Sequence, residues 1–276
     1  MESLGAIWWR STAEERRSYP RHGDGVTGAR KAQDDPVDRP TNQGSREALA
    51  GRIAAVQRRI AAAAGRSGRP AAAVELLAVV KQQDDATVAA ALELGLRQLA
   101  ENRVQPLLAR PPELLAQGRW HLIGPLQSNK VKAAMRAAAE FHALDRAALV
   151  PLLAEALAPT GQRLPVWLQV NIAGEAQKHG CAPSGAAALA AAIVATPALE
   201  LRGLMALAPY SESPEAARPW FAALRELSLE LRRGGALPDR SSGLSMGMSG
   251  DFEVAIEEGA TLVRVGSALF RDDDAC

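Results

Sequence analysis

Lys81 combines a reactive side chain with a placement that would present it to a substrate. It closes the apolar run Leu76-Leu77-Ala78-Val79-Val80 and precedes the polar cluster Gln82-Gln83-Asp84-Asp85. A run of that kind reads as a strand buried on both faces, so its last residue sits at the strand's C-terminal mouth. A lysine there can simply reach solvent along its aliphatic stem. Alternatively its amine, desolvated by the apolar flank and lowered in pKa, attacks a carbonyl and forms a Schiff base.

Further polar residues recur at comparable positions. Asn102 follows a second short apolar run, Gln127 and Asn129 a third, Asp145 a fourth, and Asn171 lies near the end of a fifth. Ser245 and Ser249 fall at or after a seventh, and Arg264, Gly266 and Ser267 on or after an eighth. Ser245, Gly266 and Ser267 have the small size and exposed N–H donors that a phosphate site needs. Each also has a plain structural use, since serines cap helices and glycines turn corners; Asp145 reads as a helix N-cap. Arg264, within Leu262-Val263-Arg264-Val265, can point inward to supply a fixed cation or outward to an ion pair. His121 and His142 sit in apolar strands and read as hydrogen-bonded core histidines without a metal-ligand partner at suitable spacing, so no metal is expected. Lys178, in a long polar loop, reads as a solvated lysine.

The elements that must position these residues follow from periodicity. Leu49, Ile53, Val56 and Ile60 mark one face of a helix that begins near Ser45. Strands are expected at 76–81, 97–100, 120–126, 141–144, 165–172, 199–207, within 242–246 and at 261–265, with helices between them, including 128–139 and 251–258. Strict alternation implies a parallel sheet, and eight units predict a single (β/α)8 TIM barrel, an α/β fold whose N-terminal helix replaces the last barrel helix. An open doubly wound sheet fits less well, because no glycine-rich loop follows the first strand. A barrel gathers its strand ends at one face, where phosphate is commonly held after strands seven and eight. A lysine and a phosphate cradle there fit a Schiff-base aldolase or a pyridoxal 5'-phosphate site.

Composition narrows the classes. The 276 residues are 47% apolar, enough for a substantial core, and 32 basic against 31 acidic residues leave a net charge of +1. No global field recruits nucleic acid or an anionic membrane. Cys181 and Cys276 have neither metal-ligand nor disulfide-framework spacing, and the cytoplasm is the expected compartment. Residues 1–44, rich in scattered charge and proline, are expected to form a disordered extension ahead of one domain over 45–276.

Seven blocks resemble, in order, the pyridoxal phosphate homeostasis protein family. They are Leu77-Ala78-Val79-Val80-Lys81, Glu101-Asn102-Arg103-Val104-Gln105, the segment from Trp120 to Lys130 (WHLIGPLQSNK), Leu168-Gln169-Val170-Asn171-Ile172, Leu201-Arg202-Gly203-Leu204-Met205, Leu244-Ser245-Met246-Gly247-Met248-Ser249, and Val263-Arg264-Val265-Gly266-Ser267. The resemblance implies a barrel related to the N-terminal domain of alanine racemase. It implies that Lys81 holds pyridoxal 5'-phosphate as a Schiff base, that Ser245, Gly266 and Ser267 bind the phosphate, and that Arg264 faces the pyridine nitrogen. Asn102 and Met205 complete the implied cofactor-binding set. A guanidinium donates to that nitrogen and disfavours its protonation, which weakens the ring as an electron sink. The implied role is homeostasis: a monomer that holds the cofactor and releases it to apoenzymes, with no catalytic residue assigned. The end of the chain soon after Phe270 leaves no room for a second domain to cover the mouth, which favours the carrier. An amino-acid racemase or Schiff-base aldolase is the alternative. Val80, Arg103, Gly250 and Arg271 depart from the family pattern without touching the implied contacts.

Overall fold

The computed structural model describes residues 42–175 and 177–271. Its strands are β1 (Glu75–Val79), β2 (Gln98–Glu101), β3 (Arg119–Leu122), β4 (Glu140–Leu144), β5 (Leu164–Gln169), β6 (Leu199–Met205), β7 (Gly243–Ser245) and β8 (Leu262–Val265). All neighbours run parallel in sequence order, and β8 pairs with β1 to close the barrel. The helices are α1 (Asn42–Arg66), α2 (Asp85–Glu93), α3 (Val104–Ala109), α4 (Pro112–Gln117), α5 (Val131–Ala134), α6 (Leu149–Leu157), α7 (Ala186–Val194), α8 (Arg218–Arg233), α9 (Phe252–Glu257) and α10 (Ser267–Phe270). The expected (β/α)8 barrel is therefore present. The region 1–44 lies outside the described residues apart from 42–44, which begin α1 three positions before Ser45.

The core follows from the patterning. Leu49, Ile53, Val56 and Ile60 are buried on one face of α1, which packs against α9 and α10 beside the closing strand. Arg52 Nε reinforces this by donating to Leu269 O at 2.7 Å. Inside the barrel, Leu77, Val79, Ala100, Trp167, Met205 and Leu262 form a compact apolar cluster, separate from the larger core between strands and helices.

Several expected boundaries shift for local reasons. β3 stops at Leu122, because Gly124 and Pro125 turn the chain away; Pro125 restricts the residue before it and has no N–H for a ladder. The helix expected over 128–139 shrinks to a 3-10 turn at Ser128–Lys130 followed by α5. Ala139 N already donates to Trp120 O at 2.7 Å, so the sheet claims the end of that segment. Asp84 caps α2, accepting from Thr87 N at 2.8 Å. Asp145 does not cap α6, whose N-cap is Ala148; its carboxylate instead pairs with Arg146.

Candidate functional site at the C-terminal mouth

A cavity of about 650 Å³ opens at the C-terminal ends of the strands. Six of the seven residues expected there line it: Lys81, Asn102, Met205, Arg264, Gly266 and Ser267. Val79, Ile123 and Leu207 supply apolar wall. A larger hollow of about 810 Å³ lies between α1 and α2, lined by alanines with Arg46 and Glu93, which pair with each other; it is away from the strand ends.

Lys81 lies in the turn two residues beyond β1, and its side chain is exposed to the cavity. The turn is closed by Gln83 N donating to Val80 O at 3.1 Å, and Gln82 adopts φ 69°. A left-handed non-glycine residue costs on the order of 1–2 kcal/mol and persists where its surroundings hold it. Arg110 does the holding. Its Nη2 donates to Val80 O at 3.2 Å and Glu101 Oε1 at 2.7 Å, and its Nη1 to Gln83 O at 2.9 Å and Asp85 Oδ1 at 2.7 Å.

On the opposite wall, Arg264 points inward and is 3% exposed. Nη1 donates to Ser245 O and Ser245 Oγ, each at 2.7 Å, and Nη2 to Ala206 O at 2.8 Å. Burial pushes this guanidinium down to about 10, opposed by the charge of Asp251. It remains a cation near neutral pH, directed at the cavity floor.

Ser245 is not part of the cavity surface. It is fully buried, and its hydroxyl is engaged by Arg264 and by His142 Nδ1 at 3.4 Å. Ser249 lines the cavity instead. Gly266 N and Ala268 N both donate to Ser249 Oγ at 3.2 Å, so two backbone donors converge at the rim with a hydroxyl between them. The sequence reading chose Ser245 over Ser249 for the phosphate; the strand's end at Ser245 separates a buried strand residue from one on the loop.

His121 and His142 are buried and hydrogen-bonded, as core histidines should be, but they have a carboxylate neighbour that the sequence reading missed. Glu140 faces His121 in the β3–β4 register, and ligand atoms of the three lie within 4.8 Å of one another. Glu140 Oε1 accepts from Trp167 Nε1 at 2.5 Å and Oε2 from Arg119 Nη2 at 3.1 Å. The i, i+2 relation of Glu140 and His142 was a readable signal, because both side chains share one strand face. Lys178 lies at the cavity rim, paired with Glu175 at 2.7 Å and donating to Ala208 O at 3.2 Å.

A closed parallel barrel with a lysine after strand one and an inward arginine on strand eight defines a recognisable class. Residues 52–274 match the family described as alanine racemase, N-terminal domain. The alanine racemase of Corynebacterium glutamicum superposes with a TM-score of 0.59 at 15% identity, covering 82% of this chain and 60% of that one, a likeness of fold. A pyridoxal phosphate homeostasis protein from Pseudomonas aeruginosa is 44% identical over 223 residues, 80% of this chain and 94% of the relative. PipY of Synechococcus elongatus, solved with PLP bound, superposes with a TM-score of 0.70 at 33% identity, covering 81% of this chain and all of that one. The chain belongs to the pyridoxal phosphate homeostasis protein family. Its relatives are named as homeostasis proteins.

Proposed function

We propose that this chain binds pyridoxal 5'-phosphate at the barrel mouth and serves its homeostasis, holding the cofactor and passing it to apoenzymes. The observation that carries the reading is the convergence in one cavity of an exposed amine (Lys81), a buried cation (Arg264) and the Ser249 hydroxyl, whose oxygen accepts from Gly266 N and Ala268 N and so leaves its own proton to be donated. These groups match the three polar parts of the cofactor: aldehyde, ring nitrogen and phosphate. When bound, the cofactor supplies an aldehyde that a lysine amine takes up reversibly as a Schiff base, and a ring that stores negative charge when its nitrogen is protonated.

Each residue then has a role. Lys81 tethers the aldehyde, and Arg110 keeps its turn in place. Gly266, Ser267 and Ser249 hold the phosphate, with Ser249 taking the direct contact that sequence reading gave to Ser245. Arg264 donates to the ring nitrogen and discourages its protonation, so carbanion chemistry on a bound amino acid gains little support. Asn102 and Met205 border the ring. This favours a carrier over the alternative, a racemase or Schiff-base aldolase; the carrier is proposed to act as a monomer in the cytoplasm. Among the described residues no helix is long and apolar enough to cross a membrane.

Incubation with pyridoxal phosphate is expected to give a visible absorbance band that Lys81→Ala abolishes; a colourless wild type would sink the assignment. Assays of amino-acid racemisation and aldol cleavage by the loaded protein separate carrier from enzyme. Lysine-dependent turnover well above that of free cofactor would establish the enzyme instead.

A further inference from the structure

The deepest polar groups of the barrel form one line that cofactor contact alone does not require. Arg264 Nη1 donates to Ser245 Oγ at 2.7 Å, and that oxygen lies 3.4 Å from His142 Nδ1. His142 Nε2 lies 2.9 Å from His121 Nδ1, and His121 Nε2 lies 2.7 Å from Gln98 Oε1. Arg264, Ser245, His142 and His121 are buried. Gln98, half-buried, begins β2 at the end of the barrel opposite Lys81.

Proton counting gives the line a direction. Ser245 Oγ accepts from Arg264, so its single proton needs an acceptor, and His142 Nδ1 is its other hydrogen-bond partner among the described residues. A bare Nδ1 puts the His142 proton on Nε2, which donates to His121 Nδ1. His121 then carries its own proton on Nε2 and donates to Gln98 Oε1. Every bond points away from Arg264. The reverse order would send two donors into Ser245 Oγ and leave its proton unpaired in a buried place. Glu140 Oε1, 3.6 Å from His142 Nε2, further favours a proton on that atom.

We propose that Ser245, His142, His121 and Gln98 are positioning residues: an oriented hydrogen-bond relay that fixes the Arg264 guanidinium and sets how strongly it donates to the ring nitrogen of the bound cofactor. This deepens, and rests on, the reading of the cavity as a pyridoxal phosphate site. Neutral dipoles whose acceptor ends face a buried cation stabilise it without placing a carboxylate beside the ring. The same histidines, with Glu140, form the cluster whose ligand atoms lie within 4.8 Å. In the relay their facing nitrogens are bonded to each other, while both Glu140 oxygens accept from Trp167 and Arg119. A metal ion would have to break the relay, and is the rival outcome.

Nitrogen-15 NMR of histidine-labelled full-length protein reads the tautomers directly, and both rings are expected to be Nε2–H at neutral pH. Gln98→Met removes the last acceptor without touching the cavity. It leaves the His121 Nε2–H without its acceptor, and is expected to shift the visible band of the cofactor-loaded protein and to weaken cofactor binding about three- to tenfold. Three results overturn the relay: Nδ1–H on His142 in the wild type, a stoichiometric transition metal in the purified protein, or a folded Gln98→Met protein with unchanged spectrum and affinity. A wild type that stays colourless with pyridoxal phosphate overturns the cofactor reading instead, and the tautomers still decide whether the relay exists. Should Gln98→Met fail to fold, the wild-type tautomers carry the test alone.

Discussion

Arg110 anchors the turn that carries Lys81, bonding the carbonyls of Val80 and Gln83 on either side of it. It is 9% exposed, its partner Glu101 is 1% exposed, and together with Asp85 they secure the strained turn at Gln82. Removing one member of a buried pair strands the other charge, so Arg110→Ala is expected to lower stability by about 3 kcal/mol and to weaken cofactor loading. Denaturant titration with absorbance at saturating cofactor checks both; an unchanged loading curve would free Lys81 from dependence on this clamp. The two buried histidines make a second prediction. Burial pushes His121 down to about 4 and His142 well below its ordinary range. The unfolded chain takes up these protons first, so their contribution is complete above about pH 6.5 and is lost as pH falls toward 4. For His121 alone that loss is about 3 kcal/mol. Asp251 and Glu75, raised by burial, act in the opposite direction at lower pH. Urea unfolding between pH 8 and 4.5 should show the decline, and His121→Leu should flatten it; a flat wild-type profile contradicts the assignment.

The elements meet at a few close approaches and charged seams. A Cβ added at Gly124 would stand 1.9 Å from Asn102 O, so the loop after β3 lies directly on the segment that lines the cavity after β2. Gly124→Ala is therefore expected to push the two loops apart, costing on the order of 2–4 kcal/mol and impairing cofactor binding; wild-type stability in that variant would show that the loops part freely. Gly203 is as tight, since a Cβ there would stand 1.9 Å from Gly243 O across the β6–β7 seam. The acids following the apolar face of α9 act between helices. Glu253 pairs with Arg59 and Glu257 with Arg66, both of α1, while Glu257 and Glu258 pair with Arg218 and Glu258 with Arg225, both of α8. Periodicity told which face of α9 was polar. It could not tell that this face joins two other helices, because the partners lie on distant parts of the chain.

At the scale of the whole molecule, α1 stands in for the helix that would otherwise follow β8, and its apolar stripe completes the core there. Ile53, 5% exposed, anchors that stripe, so Ile53→Ala is expected to cost about 2–4 kcal/mol, measurable by denaturant unfolding. A loss below about 0.5 kcal/mol would show that α1 is dispensable to the barrel. Alternation of apolar runs with amphipathic stretches was enough to determine the strand order and to put Lys81, Asn102, Arg264, Gly266 and Ser267 at one mouth, since parallel strands all present their C-terminal ends to the same side. Motif blocks carried Met205 to the same place. Tertiary structure alone decided that Ser249 reaches the cavity while Ser245 lies beneath it, that Arg110 steadies the lysine turn, and that Gln98, His121, Glu140 and His142 converge inside the barrel. Patterning along the chain reports which side of a strand a residue occupies; partners, burial depth and proton placement are properties of neighbouring strands, set only when the barrel closes.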